Sequence, residues 1–266
     1  MDQIDLVFER GAGNPVRQAF VVTNKGQRAA QVDISLASWD RDSLGRNRFF
    51  DYGTGPGSCG RVLSIDPLST RLDSGGTQLV QIRVDTAALP PSECWAVAFV
   101  QTVLPGTRRG THFNLVLRTG VKLYVVPRGA TRAGEIVAMQ VRPHVPVVAP
   151  DSVLIRESPD DPGRMVKAPG DSARKAVADT TRQELLLAFG NSGTRHHVAR
   201  GSLELRRPDN SVAGRVPLPN LYSLPGTTQW VTVPLPNVPR GRYVALAILD
   251  FGGDELAAGQ VEFDAP

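Results

Sequence analysis

Apolar and polar positions alternate along most of the chain in short runs separated by turn residues. Residues 18–23 (QAFVVT) stop at Asn24-Lys25-Gly26, and alternation resumes over 30–37 (AQVDISLA). Residues 78–84 (QLVQIRV) change face at each step, which is the period of a half-buried strand. Residues 95–104 follow the Pro90-Pro91 breaker, and residues 113–126 form the longest run. One segment, 172–180 (SARKAVADT), has the weak amphipathic spacing of a short helix. The pattern predicts an all-β protein.

The chain also echoes itself. Residues 21–26 (VVTNKG) match 187–193 (LAFGNSG): an apolar strand running into an Asn-x-Gly turn. Residues 76–82 (GTQLVQI) match 227–233 (TTQWVTV), and each copy leads through a Pro-rich link to a very apolar strand, 95–103 first and 243–249 second. The order is the same both times, which predicts two tandem immunoglobulin-like β-sandwiches. Tyr243 stands where a tyrosine corner would sit. The expected domains are 1–128 and 129–266, divided after Val126-Pro127-Arg128-Gly129. The polar stretch 150–183, with Pro159-Asp160-Asp161-Pro162-Gly163, reads as a long, mobile loop or insertion in the second domain.

Composition supports this and removes several function classes. The 26 Gly and 21 Pro among 266 residues show no triplet period, so they supply turns and not a collagen helix. Of 30 basic residues only Lys25, Lys122, Lys167 and Lys175 are lysines; the arginines are scattered among acidic residues, so a nucleic-acid surface is not indicated. No apolar run approaches the roughly 18 residues of a membrane span, and no signal peptide precedes the first strand. Four histidines offer no metal-ligand spacing: the adjacent His196 and His197 would point to opposite faces of a strand, and beside Arg195 they read as part of a solvated turn. Cys59 could be a nucleophilic thiol, but two cysteines more simply make one Cys59–Cys94 disulfide and imply an oxidising compartment. No enzyme motif, metal site or cofactor site is expected.

The segment 113–127 (FNLVLRTGVKLYVVP) carries an odd-numbered apolar stripe of Phe113, Leu115, Leu117, Val121, Leu123 and Val125. Periodicity alone makes it a core strand with one face buried. Several ordered stretches, however, resemble the periplasmic pilus (fimbrial) chaperones of the chaperone–usher pathway. They are Ile65-Asp66-Pro67 with Leu72 and Gly75-Gly76, the strand 78–84, Leu89-Pro90 with Glu93, the strand 95–105 ending Leu104-Pro105, and 113–127 with its Lys122. The resemblance is good from about residue 16 to 129 and loose beyond it. It implies a periplasmic protein, its leader taken as removed, that lends its final first-domain strand to a pilus subunit lacking one. Phe113, Leu115 and Leu117 would then fill the subunit's groove, and Lys122 would hold its terminal carboxylate between the domains. The family pairs that lysine with an arginine on its first strand. Here Asp5 falls at that position, with Arg10 and Arg17 the nearest basic residues. The implied partners are strand-deficient subunits and an outer-membrane usher. A structural or adhesive immunoglobulin-like surface protein, with the long strand wholly internal, is the alternative.

Overall fold

A computed structural model describes residues 5–9, 17–60, 62–85, 87, 89–108, 111–144, 154–158, 161–167 and 179–266, with backbone alone at 105–108, 111–113, 154–158, 161–167 and 179–181. All of its extended elements are strands, and no helix crosses ten residues anywhere among the described residues.

The first half holds nine strands: β1 (Asp5–Glu9), β2 (Arg17–Thr23), β3 (Ala30–Arg41), β4 (Asn47–Asp51), β5 (Leu63–Asp66), β6 (Ser69–Leu72), β7 (Thr77–Val84), β8 (Cys94–Arg108) and β9 (Thr111–Val126). One sheet runs β1-β9-β8-β3-β4 with β6 also on β3, and the other runs β2-β7-β5. Their inward-facing residues meet in a core that includes Phe20, Val32, Ile34, Val80, Ile82 and Leu123. This is the alternating inner-face packing of a β-sandwich.

The second half repeats the plan with β10 (Gly134–His144), β13 (Asp179–Asn191) and β17 (Thr228–Pro234) in one sheet. The facing sheet runs β15 (Val212–Pro217), β14 (His197–Arg206), β18 (Gly241–Asp250) and β19 (Ala257–Ala265), with β16 (Leu221–Ser223) also on β14. Leu185, Leu187, Phe189, Leu203, Ala247 and Leu249 lie in its core. The Tyr243 hydroxyl donates to the Pro239 carbonyl at 2.8 Å, completing a tyrosine corner.

The echo in the sequence is an echo in hydrogen bonds. Asn24 Oδ1 accepts from Gly26 N–H, and Asn191 Oδ1 from Gly193 N–H, each at 2.9 Å. The side-chain amide of each asparagine then donates to the carbonyl four residues on, Arg28 and Arg195. Asn24 N–H also reaches the Gly76 carbonyl, as Asn191 N–H reaches that of Thr227. Both asparagines therefore tie the same two strands together in their respective sandwiches.

Two expectations change. The stretch 150–183 is not simply a loop: β11 (Leu154–Ser158) and β12 (Asp161–Lys167) pair antiparallel. The helix expected at 172–180 falls mostly outside the described residues, and its last two, Asp179 and Thr180, belong to β13. There the β-ladder to β10, with Asp179 opposite His144, prevails over a weak local helical pattern.

Cys59 and Cys94 form a disulfide, both buried in the first core, which removes the free-thiol reading of Cys59. Beside it Gly57 has φ +63°, and a Cβ there would sit 2.0 Å from the Trp95 ring, so only glycine fits. Loop-closure entropy for a separation of 35 residues amounts to about 3–4 kcal/mol. The double variant Cys59→Ala/Cys94→Ala is expected to lose that much stability in denaturant unfolding, with a somewhat steeper slope because the unfolded chain is no longer cross-linked.

Candidate functional site

β9 is longer than the core it serves. β8 covers one of its edges from Thr111 to Val125. The other edge is covered by β1 alone, in parallel, from Asp5 opposite Lys122 to Glu9 opposite Val126. Among the described residues nothing pairs with that edge over 111–121, so a row of backbone donors and acceptors stands unmatched. The stripe divides at the same place. Val121, Leu123 and Val125 are core, whereas Leu115 is 49 % and Leu117 46 % exposed. Leu104 and Leu117 also line an open apolar cavity of about 410 Å³ between the two sheets, with Phe20, Val22 and Val100. The Phe113 backbone lies on β9 opposite Gly106, and its side chain lies outside the described residues.

The opposite face of the sheet meets the second sandwich. Lys122 is only 6 % exposed, with Nζ 4.2 Å from the centroid of Trp39 and 5.1 Å from that of Tyr222. Apart from these ring faces its ammonium has neither hydrogen bond nor ion pair among the described residues. Burial, with the Arg41 charge adding to it, pushes its pKa down to about 8, and Asp5 opposes the shift. Arg41, at the end of β3, lies 5.0 Å from the same Tyr222 centroid. Its Nε donates to the Gly45 carbonyl at 2.7 Å, and its two terminal nitrogens make no further bond among the described residues. Two cations thus converge on one ring. Such an arrangement is repulsive when empty and favourable once an anion enters.

The joint around this pair is built from both halves. The Tyr222 hydroxyl donates to that of Tyr124, and burial pushes both phenols well above the ordinary range. His196 stacks on Tyr124 at 4.0 Å, and Glu93, fully buried, accepts from His196 N–H and faces its Nδ1, each at 2.5 Å. Glu93 N–H donates to the Thr194 carbonyl, and Arg195 pairs with Glu9 at 2.6 Å. Trp230 N–H reaches the Ser43 carbonyl on the turn after β3. The expected solvated turn at His196-His197 is therefore wrong: it docks on the first sandwich, and His197 is buried between Phe189 and Phe251. The two rings do point apart.

Other expected residues fall elsewhere. Arg10 lies outside the described residues, and Arg17 opens β2, in the other sheet. Asp5 faces Lys122 across the parallel ladder. Arg41, Trp39 and Tyr222 were not anticipated, because β3, which carries the first two, meets Lys122 on β9 and Tyr222 on β16 only in the folded chain. Among the described residues no group of His, Cys, Asp and Glu could hold a metal ion.

No protein-family model and no curated protein matches the sequence. Solved structures do match the fold. The class 5 fimbriae chaperone CfaA aligns over 99 % of this chain and 96 % of its own at TM-score 0.50 and 10 % identity. A chain of the chaperone–tip adhesin complex of CFA/I fimbriae biogenesis aligns over 97 % and 95 % at TM-score 0.51 and 10 % identity. The protein has the all-β, two-sandwich immunoglobulin-like architecture of these chaperones.

Proposed function

We propose that this protein is a periplasmic chaperone of pilus-type subunits, with domains 1–128 and 129–266, that lends β9 to a partner sandwich lacking a strand. The observation that carries the reading is the edge of β9 over 111–121, which has an apolar stripe and no neighbour among the described residues. An incomplete sandwich offers the complement: a groove for Phe113, Leu115 and Leu117, and a strand edge for main-chain pairing. Lys122 anchors the partner's terminal carboxylate. Arg41, not Arg10, serves as the second cation, since it shares the Tyr222 ring with Lys122. The disulfide suits an oxidising compartment. The likeness to a chaperone found in a tip-adhesin complex fits such a partner. No catalytic role is assigned to any residue.

Amide hydrogen exchange tests the reading. In the free protein the amides of residues 113–121 that face away from β8 should exchange fast. Once co-expressed with a strand-deficient pilin-type subunit, they should become protected while the second sandwich is unchanged. A stable complex with no added protection there would mean the partner binds elsewhere.

A further inference from the structure

Away from the β9 edge and the Lys122 pair, an open cavity of about 370 Å³ lies against the second sandwich, where the linker between β9 and β10 meets the start of β14 and the end of β18. Arg132 comes from the linker, His197 and Arg200 from β14, and Asp250, Phe251 and Gly252 from the end of β18 and its turn. Its charge balance is positive. Arg200 stands opposite Asp250 in the β14–β18 ladder, yet it forms no ion pair or hydrogen bond among the described residues. Arg132 has only a 3.5 Å contact to the Gly252 carbonyl. Asp250 spends Oδ1 on Gly252 N–H at 2.8 Å.

A second observation points the same way. His197 is 3 % exposed, belongs to the cavity lining, and neither of its ring nitrogens has a partner. A buried imidazole without partners is costly, and native proteins normally satisfy such a group. Nearby, Arg195 Nε is also buried without a partner. The charged groups around the ring are Arg132, Arg195, His196, Arg200 and Asp250. Burial first, then the charges of Arg132, His196 and Arg195, hold the ring down to about 4, so it is neutral at neutral pH.

We infer that this cavity binds a small oxyanion, the class to which inorganic phosphate belongs. The guanidinium groups of Arg132 and Arg200 supply charge-assisted donors, and the ring N–H of His197 completes the set. An oxyanion here offsets the repulsion among the cations and gives His197 an acceptor. The inference is independent of strand donation.

Inorganic phosphate at constant ionic strength, with chloride as control, is the first probe. Wild type should show a saturable rise in Tm, and the His197 ring, followed by NMR, should titrate at higher pH with phosphate than without. Arg132→Gln/Arg200→Gln replaces two exposed side chains and should fold normally, with phosphate bound at least about tenfold more weakly. Lys122→Met should respond as wild type does, which separates this cavity from the cleft. Acetate in place of phosphate distinguishes a site for a terminal carboxylate, giving the larger shift if that is the natural source of the oxyanion. An equal phosphate response in the double arginine variant, an unmoved His197 titration, or loss of the response in Lys122→Met would each overturn the assignment.

Discussion

Leu115→Glu is expected to abolish capture of a strand-deficient partner while leaving the free protein folded. Leu115 is half exposed in the free chain, so the substitution should change stability by no more than about 0.5 kcal/mol. Under the proposed strand donation the same side chain enters a partner's apolar groove, where an unpaired carboxylate costs about 3 kcal/mol or more, roughly a 100-fold loss of affinity. Pull-down and thermal unfolding of the same preparation check both halves. Equal recovery of partner by wild type and Leu115→Glu would remove β9 from the interface. A structural or adhesive protein with an internal strand would show the opposite result: loss of stability and no specific loss of partner.

Lys122→Met is expected to move stability and binding in opposite directions. It keeps an unbranched stem against Trp39 and removes a buried cation that lacks a hydrogen bond. The free protein should therefore gain stability. A partner carboxylate buried without its cation costs about 3–5 kcal/mol, so the complex should weaken by two orders of magnitude or more. Arg41→Gln should show a smaller loss of binding and, by removing a neighbouring charge, raise the Lys122 pKa.

The pH dependence follows from the same group. Lys122 titrates near 8 when folded and returns to its ordinary, higher value when unfolded. The penalty of the buried charge is fully present below pH 8. Above it the unfolded chain holds the extra proton, so the stability of the free protein rises with pH until the unfolded value is reached. Binding runs the other way. A carboxylate favours the charged lysine, so affinity should fall above pH 8 by up to about tenfold per pH unit. A partner with an amidated C-terminus should show no such slope. Isothermal titration at several pH values reads both.

What the sequence made legible was what local pattern controls. Asn24 and Asn191 were visible as paired turns because the bonds that shape each turn reach two to four residues along the chain, whereas their bonds to a second strand were not. The period of β9 was visible as well. The point at which its stripe leaves the core was not, since that depends on where β1 and β2 stop, not on residues 113–126. Arg41 was missed for a related reason: its partner ring, Tyr222, belongs to the other sandwich. His196 was misread because a polar turn of Arg and His looks solvated until a buried glutamate from elsewhere claims it.

Because β9 is held in register by β8 and β1, the interval between Lys122 and Leu115 is fixed. At about 3.3 Å per residue it spans roughly 23 Å, and the strand acts as a ruler. Under the proposed strand donation a partner is measured from its last residue: its terminal carboxylate sets the zero, and its groove must open at the matching distance. Lengthening the partner's C-terminal strand by one residue would present the wrong face to the donor stripe, while two would restore the face and displace every pocket by about 6.6 Å. Selection among partners then rests on length as well as on apolarity.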